Sequence, residues 1–277
     1  MTPVATDLNR LCQLEDFADP RIEAAIRAIH PDYLSTLPSY PRGYEHRKAW
    51  EYAQLMLGLE SLDPLTPESL VLSVAAGQER PLYELTNRVK LVFATDIYGA
   101  SDFSDYEAAG KMLADPDFFA PFPYNRNRLV VQYMNALDLR FEDNTFDLVF
   151  SLSSIEHFGG YEPARRSLQE MHRVCRPGGI VMITTECVFN GVHPPQISYL
   201  QLFTPRLMEI FANSVPGLEP VGPLRFDISD LTRSTVRNYD KAIDDRQRGI
   251  HEYPHVALEL AGCHFTSFSL FLRKTCA

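Results

Sequence analysis

The chain has 277 residues, with 26 Lys and Arg against 36 Asp and Glu, a formal charge of −10, and 45% hydrophobic and 22% charged residues. That length buries one sizeable core, and the balanced composition excludes a fibrous or wholly disordered chain. The acidic excess, without any dense Lys/Arg block, argues against a nucleic-acid partner, because phosphate neutralisation drives such binding. A local basic group at Arg233, Arg237, Lys241, Arg246 and Arg248 reads first as a solvated helix face. The five cysteines, Cys12, Cys175, Cys187, Cys263 and Cys276, are odd in number and hold no CxxC pair, which predicts neither a disulfide framework nor structural zinc. The first seven residues carry no basic region leading into an apolar run, and no stretch approaches the roughly 20 apolar residues of a bilayer span. A cytoplasmic protein without a membrane span is expected.

In chain order, Arg21 to Ile29 and Tyr44 to Glu60 carry apolar residues at helical spacing, and the Pro-rich run Leu37 to Gly43 separates them. They predict a helical cap over residues 1–66. From Leu70 the pattern changes to short apolar runs separated by helical segments, the signature of βαβ units. Strands are expected at Leu70–Ala75, Leu91–Thr95, Leu129–Tyr133, Phe146–Leu152 and Gly179–Thr185, with a helix over Pro163–Cys175 ended by Pro177-Gly178-Gly179. The core then covers 67–189. Over 190–250 the alternation stops, which predicts an insertion acting as a substrate-side lid. His255–Leu260 and Phe265–Arg273, joined by a short linker, predict a closing antiparallel hairpin within 251–277. The whole reads as one α/β domain, a doubly wound, mostly parallel seven-stranded sheet with a C-terminal hairpin, a cap and a lid.

Two features carry ligand chemistry. The run Val71-Leu-Ser-Val-Ala-Ala-Gly-Gln-Glu79 leads a buried strand into a small-residue turn and a helix, so backbone and free N–H groups can approach a ligand. Asp96 ends the next apolar run and is placed to accept hydrogen bonds from both ribose hydroxyls of a nucleoside cofactor. Together they leave NAD, FAD and S-adenosylmethionine open.

Three further stretches follow in order: Met134-Asn-Ala-Leu-Asp through Phe146-Asp-Leu-Val-Phe150, then Ser153-Ser-Ile-Glu-His-Phe158, then Arg173-Val-Cys-Arg-Pro-Gly-Gly179. With these the chain resembles the class I S-adenosylmethionine-dependent methyltransferases over about residues 70 to 186. Arg47-Lys-Ala-Trp-Glu51 and the Ser153–Gly160 loop look like a bacterial subgroup of small-molecule and glycan pathways. The resemblance implies S-adenosylmethionine as cofactor. Ala75, Ala76 and Gly77 would then face its methionine part, Asp96 would hold its ribose, Asn135 with the Ala136 backbone would meet its adenine edge, Ser73 and Ile97 would belong to the same cofactor site, and Ser151 to Ser153 would line the transfer pocket. The turn departs from the family, which begins it with an acidic residue and carries more glycines; here Ser73 and Ala75 stand at those places and Glu79 ends it. Ala replaces Gly without strain only where φ is negative. Asn135 stands where the family often has Asp.

Methyl transfer needs orientation, exclusion of water and, for a hydroxyl acceptor, loss of a proton. His157 is the first candidate base, with Glu156 as its orienter or substitute and His193 reaching in from the lid. His157 and His193 read equally as residues set by loop geometry. No metal site is expected: His251 and His255 lack a recognised ligand spacing. Trp50 reads as core of its helix, with a cap over the cofactor as the alternative. The expected function is methylation of a small-molecule or sugar hydroxyl. N- or C-methylation, a catalytically silent binding protein on the same fold, and a nicotinamide oxidoreductase stand beside it, the last opposed by the absence of Gly-x-Gly-x-x-Gly. Acceptor identity and oligomeric state are open at this level.

Overall fold

The structure, a computed structural model, describes residues 8–62, 65–100 and 107–276. The seven N-terminal residues read above for a leader lie outside them. The described strands are β1 (Arg10–Leu11), β2 (Leu70–Val74), β3 (Leu91–Asp96), β4 (Leu129–Tyr133), β5 (Phe146–Leu152), β6 (Cys175–Val188), β7 (Leu218–Pro220), β8 (Arg237–Asn238), β9 (Leu258–Leu260) and β10 (Cys263–Lys274). The α-helices are α1 (Pro20–Ile29), α2 (Pro31–Leu34), α3 (Arg47–Leu62), α4 (Arg80–Leu85), α5 (Lys111–Ala114), α6 (Tyr161–Val174), α7 (Pro205–Ala212), α8 (Asp230–Arg233) and α9 (Tyr239–Gln247).

The strands form one sheet in the order β4-β3-β2-β5-β6-β10-β9-β8. β4 through β6 run parallel, and β10 returns antiparallel to β6. Ten strand segments therefore replace the seven expected. The three additions are short edge segments: β1 against Phe268 and Ser269 of β10, β7 against Leu272 to Lys274 of β10, and β8 against β9, the hairpin strand. Each covers part of an edge that would otherwise present unpaired backbone.

Side-chain alternation along the strands sorts the core into two layers. Val71, Val92, Leu148, Phe150, Met182 and Phe271 pack with α3 and α4, whereas Leu72, Val149, Val181, Ile183, Leu270 and Leu272 pack with α6 and α7. The N-terminal helices add a separate cluster in which Trp50, fully buried, meets Phe17, Ile22, Ile26 and Val256. Trp50 is thus core of its helix. At Gly58, α3 approaches β10 so closely that an added Cβ would fall 2.2 Å from the Phe271 ring.

Several boundaries differ from expectation. α6 ends at Val174, and β6 starts at Cys175 instead of Gly179, so Pro177-Gly178-Gly179 lies inside a strand irregularity opposite Phe146 and Leu148. The expected strand from His255 begins only at Leu258, while its partner extends to Lys274. The segment 190–250 is not a single unstructured lid: α7 sends Met208, Phe211 and Ala212 into the main core, and β7 joins the sheet. Its later part, β8 and α9, reaches the carboxyl edge of the sheet.

Candidate active site at the carboxyl edge of the sheet

Parallel strands β2 and β5 are neighbours, but the chain leaves them toward opposite sides, and ligands bind in the crevice that this topology opens at the strands' carboxyl ends. A cavity of about 1060 Å³ occupies that place. Ala75 to Glu79 except Ala76, with Asp96, Ile97, Ser153, Ser154, Glu156 and His157, come to it from the strand ends; β6 contributes Glu186, α3 contributes Arg47, Lys48, Glu51 and Tyr52, and α9 contributes Tyr239, Lys241 and Arg246.

On one side, β2 turns sharply into α4. Ala75 and Gly77 both take positive φ, +51° and +48°. A Cβ on Gly77 would lie 2.8 Å from the Glu107 carbonyl oxygen, so this position needs glycine for space as well as for conformation. Ala75 gains neither release, which overturns the condition of negative φ on which Ala was expected to replace Gly. Asp96 ties this turn to β3: Oδ2 accepts the Gly77 N–H at 2.8 Å and Oδ1 the Ile97 N–H at 2.7 Å. Burial pushes its carboxyl up, against the pull of those two N–H donors. A carboxylate offers about four acceptor positions, so two remain for a diol.

The other side is a buried network of charges. Glu51, fully buried on α3, accepts from Ser153 Oγ at 2.8 Å, from Ser267 Oγ at 2.5 Å and from Thr184 Oγ1 at 3.1 Å, and lies 3.3 Å from Lys48 Nζ. Burial raises its carboxyl, but Lys48 and Arg47 outweigh burial and hold it below the usual range. Lys48 also reaches Glu79 at 2.7 Å and the Leu152 carbonyl at 2.9 Å, and Arg47 pairs with Glu186. Ser153, at φ +48°, is a second non-glycine residue of this cavity in the left-handed region. Strain of that kind persists only where the surroundings over-determine it, and the bond to Glu51 supplies such a hold.

Glu156 stands apart. It is 1% exposed, Thr185 Oγ1 donates to its Oε2 at 2.9 Å, and no cation pairs with it among the described residues. Burial, then the neighbouring Glu186 charge, pushes its carboxyl up to about 8. Glu186 and Glu79 are also raised by burial, against the pull of Arg47 and Lys48 respectively. Three carboxyl oxygens in this region, Glu79 Oε2, Glu156 Oε1 and Glu186 Oε2, are buried without a hydrogen-bond donor among the described residues. Burying an acceptor without a donor is costly, and such atoms call for an explanation.

His157 lines the cavity beside Glu156, with Nδ1 against the Tyr199 carbonyl at 2.9 Å. That contact assigns the Nδ1 proton, and burial lowers the ring's affinity for a second one. His193 is different: it sits on an exposed loop outside the cavity, because the chain after β6 runs over the surface before entering α7. Of the expected cofactor residues, Ala75, Gly77, Asp96 and Ile97 line the cavity. Ser73 and Ser151 do not, since both are buried within strands below the edge, and Ala76 is turned inward to donate its N–H to the Thr95 carbonyl. Asn135 is exposed and its Oδ1 accepts the Leu137 N–H at 2.9 Å, while Ala136 packs into the core. His255 stacks on His46 with ring centroids 4.5 Å apart. Burial lowers both rings, His255 to about 3. The basic group expected as a solvated helix face is divided among α8, β8 and α9, and three of its members, Arg237, Lys241 and Arg246, line the cavity, paired with Glu252, Asp245 and Glu107.

Lys48, Glu79 and Glu186 carry no assignment in the sequence reading. A signal was present for two of them: Glu186 is the charged residue within the run Ile180 to Val188, and Glu79 ends the small-residue turn after β2.

Residues 72–183 match the methyltransferase domain family. That match covers less than half of the chain. A demethylmenaquinone methyltransferase of Lysinibacillus sphaericus is 29% identical over 135 residues, 42% of this chain and 54% of that protein. The chloroplastic tocopherol O-methyltransferase of Arabidopsis thaliana is 42% identical over 59 residues, 21% of this chain and 16% of that protein. The match to the first of these spans about half the relative's length. Among solved structures, the cyclase SpnF superposes with a TM-score of 0.54 at 15% identity, covering 93% of this chain and 97% of that one. A putative sarcosine dimethylglycine methyltransferase from Galdieria sulphuraria gives 0.51 at 17%, covering 82% and 84%. At these identities the structures show a shared Rossmann-like fold and nothing finer. No described helix is long and apolar enough to cross a membrane.

Proposed function

We propose that the chain transfers the methyl group of S-adenosylmethionine to a hydroxyl of a small-molecule or sugar acceptor, with Glu156 taking the hydroxyl proton. The observation that carries this reading is Glu156 itself, a buried carboxyl raised to about 8 with one oxygen unpartnered in the same cavity as Asp96. A base works best when its pKa lies near the working pH, because it is then ionised and still basic. This reverses the order expected from sequence: Glu156 becomes the base, and His157, committed at Nδ1, becomes a positioning residue.

The residues present fit the cofactor. Asp96, fixed by two backbone N–H bonds, has acceptor positions left for two ribose hydroxyls, and Gly77 lines the cavity beside it with backbone alone. The open oxygen of Glu79 and the ammonium of Lys48 have the charges to complement an α-amino acid end. When bound, the cofactor supplies an electrophilic methyl on sulfur. The protein's own work is to orient the acceptor, remove water and hold the proton at Glu156. β8 and α9 act as the lid of a single-domain enzyme, with Arg246 and Glu107 clasped across the mouth. The acidic charge keeps nucleic acid out of the reading, and the five unpaired cysteines suit a cytoplasmic setting.

N-methylation stays as a second reading, because a raised carboxyl can equally take a proton from an ammonium acceptor. The test is calorimetric titration of the purified protein with S-adenosylmethionine, S-adenosylhomocysteine and NAD, followed by radiolabelled methyl transfer to hydroxylated acceptors. Saturable binding of both adenosyl ligands with transfer to oxygen is expected. Preference for NAD would overturn the reading, and binding without transfer to any acceptor would leave a silent binding protein in its place.

A further inference from the structure

The charged network at the floor of the cavity is not balanced. Glu51, Glu79, Glu156 and Glu186 face only Arg47 and Lys48; Glu51, Glu156 and Glu186 are buried, whereas Glu79, Arg47 and Lys48 are partly buried. The other lining cations do not help: Arg80 is tied to Asp32, Arg237 to Glu252, Lys241 to Asp245 and Arg246 to Glu107. Glu51 is saturated by three hydroxyls and Lys48. Glu186 meets Arg47 and Glu79 meets Lys48 through one oxygen each, so the unmet charge centres on Glu156, 1% exposed and without an ion pair among the described residues, beside the second oxygen of Glu186, which is 3% exposed and lacks a donor.

A buried anionic excess is expensive unless a cation or a proton meets it. In the empty protein a proton does so, which is the physical content of the raised Glu156 and Glu186 carboxyls. A ligand bearing a positive group and N–H or O–H donors would replace that proton and satisfy both open oxygens. Tyr52, whose ring already carries the Lys48 ammonium at 5.8 Å, and Tyr239 line the same cavity.

We infer that Glu156 and Glu186 form a site for one monocation, supplied by a protonated amino group on the acceptor, so that the acceptor is an amino alcohol or amino sugar. This rests on the methyl-transfer reading only in naming the ligand as the acceptor. An anionic acceptor is excluded by the same charge excess, since it would enter against two unpaired carboxyl oxygens. The sulfonium of the cofactor is the competing source of a monocation.

The test uses glucosamine, glucose and glucuronate, three probes of one ring shape carrying a positive, a neutral and a negative substituent. Each is titrated into protein saturated with S-adenosylhomocysteine, whose neutral sulfur cannot supply the charge, and into the unliganded protein. Glucosamine is expected to bind at least tenfold tighter than glucose, with glucuronate weakest. Glu186→Gln, which keeps the shape and removes the charge, should abolish that preference while its thermal unfolding midpoint stays within a few degrees. Glu156→Gln should do the same to the glucosamine affinity. Equal binding of glucosamine and glucose, preference for glucuronate, binding of none of the three, or a preference that survives both variants would each overturn the inference. A preference of S-adenosylmethionine over S-adenosylhomocysteine that Glu186→Gln removes, together with no preference among the sugars, would assign the site to the sulfonium and overturn it as well. Failure of the protein to bind S-adenosylhomocysteine would count against the methyl-transfer reading alone, because the three sugars are also compared on the unliganded protein.

Discussion

The two sides of the cavity are built on opposite terms. Around Asp96 each carboxyl oxygen already holds a backbone N–H, the turn is fixed by Gly77, and the side chains that frame it are small. Around Glu156 the side chains are large and charged, they come from α3, β6 and the turns after β2 and β5, and three carboxyl oxygens are left without donors among the described residues. A region whose carboxyl oxygens are both anchored before a ligand arrives holds its shape for a constant ligand. A region with open buried acceptors is completed by the ligand, and its chemistry therefore records what that ligand must offer.

The largest expected effect breaks the second region. Glu156→Gln keeps the side chain's shape and its bond to Thr185 but cannot accept a proton. Turnover should fall by about 10²- to 10⁴-fold, the usual range for removal of a general base. The pH dependence gives a second readout. Below about 8 the wild-type Glu156 carboxyl is protonated, so its rate should rise with pH toward that value and level off above it. The variant should lose that limb. A linked stability effect has a fixed sign: a carboxyl raised in the folded state binds its proton more tightly there than when unfolded, so its contribution weakens as pH rises from about 4.5 through 8. The unfolding midpoint of the variant relative to wild type should therefore increase across that window; a constant difference would mean that the carboxyl is not raised.

Asp96→Ala breaks the first region. It removes the acceptor proposed for the ribose and leaves the Gly77 and Ile97 N–H groups without their partner. Hydrogen bonds to a charged group contribute about 1.5 to 3 kcal/mol each, so affinity for S-adenosylhomocysteine should drop roughly 100-fold. Titration calorimetry reads it directly, and an unchanged affinity would move the cofactor away from β3.

This contrast also explains what the sequence made legible. The first region is built by local chain: a buried strand, a small-residue turn and an acid at the next strand end all lie within Val71 to Asp96, so its residues can be read in order. The main parallel strands and α6 were legible for the same reason, through their periodicity. The second region is assembled across the chain, with Arg47 and Glu51 from one helix, Glu156 after β5 and Glu186 in β6. Nothing in the spacing of these residues announces that they meet. Asn135 and His193 were misplaced because their positions depend on how a loop closes, as with the Asn135 side chain spent on the Leu137 N–H. The ten strand segments escaped the reading because two- and three-residue strands have no period to detect.

Gly58 tests the frame that holds both regions in place. α3 carries Arg47, Lys48 and Glu51, and it reaches β10 only because Gly58 lets the Phe271 ring approach. Gly58→Ala gains helix propensity of about 1 kcal/mol but forces a methyl into that contact, and overpacking costs about 1 to 3 kcal/mol. A net loss of about 1 kcal/mol in chemical denaturation is expected, with a weaker Glu156 pH limb if α3 shifts. A stabilised variant would show that the helix has room to move.

The smallest expected effect sharpens the comparison at the turn. Ala75 holds φ +51°, and a left-handed conformation costs an alanine about 1 kcal/mol relative to glycine. Ala75→Gly relieves that strain but also loosens the unfolded chain, which offsets part of the gain by about 0.4 to 1 kcal/mol. Stability should therefore change by less than about 1 kcal/mol, whereas affinity for S-adenosylhomocysteine should be unchanged or slightly higher, since the turn keeps its shape through Asp96 and Gly77. A marked loss of affinity would mean that the Ala75 methyl is itself part of the ligand surface. The substituted turn would then be a fitted wall of the site, and Ala75 would belong with the residues that the ligand completes.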